Sequence, residues 1–165
     1  MLEPEARWIE AALEPLHPET CLNLGSSDRA FREVKKPYIQ EHVFLPLLKR
    51  GVRVIHQDLR AVEGVDIAGN IYDAAVREKI GQADLVICSN MLEHVERREE
   101  LARIAAELTK PGGHLLVTVP CSYPFHADPI DTSYRPHPEQ LAALFPGLSL
   151  IKSAAVDGDT YARQL

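Results

Sequence analysis

The side chains best suited to hold a ligand sit where apolar runs stop. Residues 85–88, Leu-Val-Ile-Cys, form a continuous apolar run without period-2 alternation, the pattern of a strand covered on both faces. Ser89, Asn90, Met91, Leu92, Glu93 and His94 follow at once, bringing hydroxyl, amide, carboxyl and imidazole groups to the end of that run. Ligands in an open α/β sheet bind at the carboxyl ends of its strands, so this stretch is expected to line a site. Two other apolar segments end in the same manner. Residues 20–24 run into the turn Gly25-Ser26-Ser27-Asp28, and the segment 52–55 has Asp58 just beyond its end. After residues 114–119 the texture changes: Pro120, Pro124, Pro129, Pro136, Pro138 and Pro146 punctuate the chain, with Tyr123, Phe125, His126, Tyr134 and His137 between them. A loop of that composition following a strand is where a substrate-binding insertion would sit.

The elements that position these groups follow from apolar spacing. Residues 3–16 carry Ile9, Ala12, Leu13 and Leu16 on one helical face, with Pro15 and Pro18 ending the helix. Residues 29–40 show no clean period and are interrupted by Pro37, which predicts a loop. A helix is predicted over 41–50, a brief strand within 64–70, and a helix over 71–80 stopped by Gly81. Leu101, Ile104, Ala105 and Leu108 give a core stripe to a helix over 96–109. Pro111-Gly112-Gly113 reads as a turn, 114–119 as a buried strand, 139–145 as a short helix and 148–156 as a last strand. Strands alternating with helices at this spacing predict βαβ units around a parallel sheet.

The bulk properties narrow the partners. A chain of 165 residues, 45% hydrophobic and 25% charged, suits one globular domain with its own core. A net charge of −6 argues against a general nucleic-acid surface, and Lys35-Lys36 reads as solvated surface. There is no signal-peptide pattern and no apolar run long enough to span a membrane. Three cysteines without a CxxC spacing predict a reducing, cytoplasmic setting, with Cys21 and Cys88 as small buried hydrophobes.

Four pieces occur in order: Leu22-Asn23-Leu24-Gly25-Ser26-Ser27, then Asp58, then Asp84 to Val95, then Lys110-Pro111-Gly112-Gly113-His114-Leu115-Leu116-Val117-Thr118-Val119-Pro120. Together they resemble class I S-adenosylmethionine-dependent methyltransferases of the type-11 group, over residues 20–145. The resemblance implies an α/β, Rossmann-like fold: a mostly parallel central sheet with helices on both faces and a final antiparallel hairpin. It also implies one domain over 1–165, divided into an N-terminal helix (1–18), a cofactor-binding core (19–119), an acceptor-side loop and helix (120–147), and a last strand with its tail (148–165). S-adenosylmethionine would be the cofactor and S-adenosylhomocysteine the product. Gly25 would let the backbone approach the cofactor, assisted by Asn23, Ser26 and Ser27. Asp58 would accept hydrogen bonds from both ribose hydroxyls, with Leu59 beside it. Asn70 and Ile71 would read the adenine, and Asn90, Met91 and Leu92 would flank the methionine end.

Two departures stand out. The group's first loop usually reads Gly-x-Gly-x-Gly, but here it is Gly25-Ser26-Ser27-Asp28-Arg29. The final hairpin has one candidate strand, 148–156, so it is expected to be incomplete, leaving a sheet edge through which two copies could associate as a homodimer. Methyl transfer from a sulfonium is an in-line displacement, and a base is needed only where the acceptor must lose a proton. His94, His126 and Tyr134 are the catalytic candidates, and Tyr123, Asp128, Asp131 and Arg135 the acceptor-side ones. His126, Asp128 and Asp131 lack tight ligand spacing, so no metal is expected. The expected acceptor is a small molecule or a glycan-type compound. The alternative is a weakly active or inactive binding or scaffold protein that keeps the fold. A nicotinamide-dependent dehydrogenase fits the sheet but not the motifs, because Gly-x-Gly-x-x-Gly is missing.

Overall fold

The computed structural model describes residues 1–126 and 130–158. Five parallel strands form one sheet in the order β3-β2-β1-β4-β5: β1 (Thr20–Leu24), β2 (Arg53–Asp58), β3 (Ile67–Ala68), β4 (Ala83–Ser89) and β5 (Thr109–Thr118). β1 lies at the centre, paired with β2 on one side and β4 on the other. This is the Rossmann-like arrangement expected, with every observed pairing parallel.

The central strands lack alternation because both faces are covered. On one face Leu22 and Leu24 of β1 and Val86 and Cys88 of β4 pack against α4 (Ala74–Ile80) and α5 (Arg98–Glu107). On the other, Cys21, Leu85 and Ile87 meet α1 (Glu3–Leu13) and a helical segment spanning residues 31–49. Neighbouring side chains point to opposite faces, and each face finds apolar cover.

That helical segment corrects the loop expected over 29–40. Residues Phe31–Lys35 form a wide turn, followed by α2 (Pro37–Ile39), a second wide turn Gln40–Phe44, and α3 (Leu45–Lys49). Asp28 Oδ1 starts it by accepting the Phe31 N–H at 2.7 Å. Pro37 and Pro46 both fall in first turns, where a missing N–H removes no helical bond. Wide i→i+5 turns shift the phase of the apolar positions, so no 3.6-residue period survives in the sequence.

The strand expected over 148–156 is absent from the described residues, and α6 (Pro138–Ala142) is the last regular element. Leu150 and Ile151 are 63% and 78% exposed. The segment passes α1 instead, with Lys152 Nζ 5.6 Å from the Trp8 ring centre. Lys152-Ser153-Ala154-Ala155 breaks the apolar alternation that would hold a strand in register. The sheet is therefore not closed by a hairpin, and β5 pairs with β4 alone among the described residues.

Asp84 binds the amino ends of the strands together. Its Oδ2 accepts from Thr20 N (2.9 Å) and Thr20 Oγ1 (2.8 Å), while its Oδ1 accepts from Lys110 Nζ (2.8 Å). Lys110 and Thr20 hold this carboxyl well below the usual carboxylate range. β5 begins earlier than expected, at Thr109, and takes in the Pro111-Gly112-Gly113 turn through a register shift opposite residues 83–85. A Cβ at Gly113 would lie 2.7 Å from the Asp84 carbonyl oxygen, which explains a glycine there.

A second polar tie runs between the central strands. Asn23 Nδ2 donates to His56 Nδ1 at 3.1 Å, and Phe44 meets the His56 ring edge-on at 4.9 Å. Burial, with the Arg32 charge nearby, pushes the His56 imidazolium down to about 4. The unfolded chain takes up this proton near pH 6.5, while the folded protein resists it until about 4. Stability is thus complete above that window and falls as pH drops through it, by at most about 3 kcal/mol. The urea midpoint should decline between pH 7 and 4.5, and His56→Gln should flatten the decline; an equal decline in the variant would place its origin elsewhere.

Candidate functional site

The loops leaving β1, β2 and β4 meet at the carboxyl ends of the strands. Gly25 adopts φ +65, and a Cβ there would sit 3.0 Å from Met91 Sδ. Glycine is required both by the left-handed backbone and by the close approach of the β4 loop. Ser26 is buried, and its N–H donates to the Gln57 carbonyl at 2.9 Å, carrying the β1–β2 pairing one residue further. Ser27, at φ +57, donates its N–H to Asp58 Oδ2 at 2.8 Å.

Arg32 holds this loop from beneath. Its Nη1 donates to the carbonyls of Ser26 (2.9 Å) and Ser27 (2.6 Å), and its Nη2 to that of Gly64 (2.7 Å). The residue is 3% exposed, and burial lowers its pKa, an effect that nearby Glu33, Asp28 and Asp66 partly offset. A Cβ at Gly64 would come within 2.9 Å of Arg32 Nη2. The guanidinium fork thus fixes the β1 turn and the Gly64 turn from one plane.

Asp58 Oδ1 accepts the Arg60 N–H at 3.2 Å. Arg60 Nε also lies 3.9 Å from Oδ1, and the Asp58 side chain is 15% exposed. An ionised carboxylate offers about four acceptor positions, of which the two backbone N–H groups take two. Leu59 beside it is 69% exposed, an apolar surface next to an acceptor. Asn70 is exposed; its Oδ1 caps the next turn by accepting the Tyr72 N–H, which leaves its amide N–H groups facing outward as donors. Ile71 (4% exposed) and Leu92 (fully buried) lie in the core and support the loops from inside. Asn23 is likewise buried and engaged with His56.

Asn90 takes φ +49, a conformation asparagine tolerates better than most residues. Its Nδ2 donates to Glu5 Oε1 at 2.7 Å, and its N–H to the Thr118 carbonyl at 2.9 Å. Ser89 Oγ lies 2.7 Å from Thr118 Oγ1 and 3.3 Å from Glu5 Oε1. The first turn of α1 therefore reaches across the end of β4, 85 residues away in sequence.

Glu93 and His94 occupy a short 3-10 turn, Leu92–His94. Glu93 is 1% exposed, its Oε2 has no hydrogen-bond partner among the described residues, and burial raises its pKa. Its Oε1 lies 3.7 Å from His94 Nε2. His94 Nδ1 donates to the Ile130 carbonyl at 2.5 Å, which leaves Nε2 as the acceptor nitrogen of a neutral ring. The His126 ring meets His94 edge-on at 5.1 Å and Tyr123 at 5.2 Å, so these three side chains form one cluster.

Asp131 and Arg135 are committed to each other through two hydrogen bonds of 3.1 and 2.6 Å. Asp131 also accepts the backbone N–H groups of His126 and Ser133, and these partners hold its carboxyl well below the carboxylate range. The pair folds the loop. Tyr134 lies under the Arg98 guanidinium at 4.2 Å. Asp128 lies outside the described residues. No group of three metal-ligating side chains occurs among the described residues.

Glu93 stood in the stretch expected to line a site but was given no role of its own there. Arg32 and Glu5 carried no signal in the sequence, since both act through contacts between distant segments.

A methyltransferase-domain family model matches residues 7–154. The ubiquinone biosynthesis O-methyltransferase of Ralstonia nicotianae is 29% identical over 111 residues, covering 66% of this chain and 45% of that protein. The enzyme of that name from Cupriavidus pinatubonensis is 32% identical over 71 residues, or 43% of this chain and 24% of that protein. The one from Marinobacter nauticus is 46% identical over 41 residues, or 25% and 17%. The chain thus spans less than half the length of these curated relatives. With a family match over nearly all its length and a parallel sheet whose polar loops gather at the strands' carboxyl ends, the chain belongs to the class I S-adenosylmethionine-dependent methyltransferases.

Proposed function

We propose that the chain binds S-adenosylmethionine in the crevice between the β1, β2 and β4 loops and methylates a hydroxyl group of a small molecule. The observation that supports this reading is the Ser27–Asp58 link, which brings the glycine turn of β1 and the acidic end of β2 side by side. The donor set fits the cofactor. Asp58 retains acceptor positions for a ribose diol, Leu59 offers an apolar surface to adenine, and Asn70 presents amide donors. Gly25, Asn90 and Met91, neighbours at the ends of β1 and β4, would flank the methionine end. The bound cofactor supplies a methyl group on a sulfonium.

The chain's own residues would manage the acceptor proton. A hydroxyl beside His94 can pass its proton to Nε2, because Nδ1–H is anchored on the Ile130 carbonyl. Glu93 then faces the resulting imidazolium from 3.7 Å. The relatives' names specify O-methylation, which favours a hydroxyl acceptor, while the glycan-type acceptor rests on no feature of the site.

Calorimetry with S-adenosylhomocysteine, followed by a methyl-transfer screen over phenols and sugars, tests this reading. His94→Gln should lower kcat about 10²- to 10⁴-fold with cofactor binding intact. Unchanged turnover would remove His94 from the chemistry, and absent cofactor binding would favour a scaffold role.

Glu93→Gln is expected to separate stability from activity. It removes a buried carboxyl that has an unpartnered oxygen and should strengthen the fold by about 1 kcal/mol, while slowing methyl transfer. Because burial raises the Glu93 pKa, this residue stabilises the fold at low pH and that contribution is lost as pH rises through its folded value. That is opposite in sign to His56. A melting temperature below wild type at pH 8 would contradict it.

A further inference from the structure

The 131–136 loop and the ends of two helices enclose a concavity lined by Arg98, Thr132, Ser133, Tyr134, Arg135 and Gln140. We infer that it binds the acidic group, carboxylate or phosphate, of the methyl acceptor, with Arg98 as its anchor; the inference rests on the methyltransferase reading above. Arg98 is half-buried and stacked on Tyr134 at 4.2 Å. It has no side-chain hydrogen bond or ion pair among the described residues, whereas its neighbours Arg97 and Arg103 are paired with Glu100 and Glu107. Stacking fixes the guanidinium plane and leaves its N–H edge as an unspent donor.

The other walls are also short of acceptors. Gln140 Oε1 already accepts the His137 N–H at 2.9 Å, so its free end is the Nε2 donor. Ser133, at φ +57, is exposed with its hydroxyl. No carboxylate lines the concavity; nearby, Asp131 is paired with Arg135, and Glu99, whose charge reaches Tyr134, makes no ion pair with Arg98. A donor-rich concavity with one surplus positive charge in a chain of net charge −6 suits an oxyanion. Its position connects it to the reaction. Thr132 donates both N–H (2.9 Å) and Oγ1–H (3.0 Å) to the Glu93 carbonyl, so one wall hangs from the residue beside His94. An acceptor held by its acidic end on Arg98 would extend toward that histidine.

Binding of benzoate, phenyl phosphate and benzyl alcohol to the protein saturated with S-adenosylhomocysteine tests the inference. At least one anion should bind ten-fold or more tighter than the neutral alcohol, and Arg98→Gln should erase that margin while homocysteine-cofactor binding stays within two-fold. The tighter anion identifies the acceptor as a carboxylate or a phosphate ester. In wild-type protein the Arg98 side-chain Nε–H resonance should shift on adding that anion, a readout that does not depend on the variant folding. Equal binding of all three probes, or an unchanged margin in Arg98→Gln, would overturn it. Failure of the anions with S-adenosylhomocysteine still bound would remove this site alone, whereas absent cofactor binding would remove the methyltransferase reading.

Discussion

Replacing Arg32 with alanine should remove measurable S-adenosylhomocysteine binding and destabilise the fold by about 3–5 kcal/mol. The side chain supplies three donors to the carbonyls of Ser26, Ser27 and Gly64; Ser26 and Arg32 itself are buried, and Ser27 and Gly64 are half-buried. Truncation leaves them unpaired and opens a void under the β1 turn. Arg32→Lys keeps the charge but cannot aim donors at two loops from one plane, so it should recover less than half of the lost stability. Chemical unfolding of the two variants, read beside calorimetry, checks both statements. Wild-type cofactor affinity in Arg32→Ala would show that the serine turn holds its shape unaided.

Asp58→Ala should weaken the cofactor by about 2–4 kcal/mol, roughly 30- to 1000-fold, the scale of charge-assisted bonds to a diol. Two effects combine in that number, because Asp58 also receives the Ser27 N–H at 2.8 Å. Asp58→Asn separates them. An amide oxygen can still accept from Ser27, so the loop stays in place, while the charge and one acceptor facing the ribose are lost. The asparagine variant should therefore unfold close to wild type and still bind at least ten-fold more weakly. If both variants bind like wild type, the ribose site lies elsewhere.

The sheet was readable from the sequence because strands covered on both faces leave unbroken apolar runs, and those runs mark where the polar loops begin. Gly25 and Asp58 could be named for the same reason, since each is the first residue of its kind at a strand's end. Arg32 could not, because two wide turns erase the helical period around it and make its segment resemble a loop. Glu93 was passed over for a different cause. Its burial comes from a 3-10 turn and from Thr132 folding back onto its carbonyl, a contact across 39 residues. Ile71 and Leu92 show the converse error of scale: a motif places a residue near a site, but whether its side chain faces the ligand or the core depends on a rotation the motif does not encode. The expected last strand failed because its apolar content was sufficient but its pattern was not.

The Asp84 cross-link has a consequence for how such a chain can change over generations. One carboxylate joins β1, β4 and Lys110 at the amino ends, at the opposite edge of the sheet from the loops that would meet a ligand. The strands resemble ribs of a fan pinned at the handle. Substitutions and insertions at the open rim, including the proline-rich acceptor loop, leave the pin untouched. Novelty in acceptor choice can therefore accumulate there without loosening the scaffold, while drift at Asp84 or Thr20 would be felt by three of the five ribs at once.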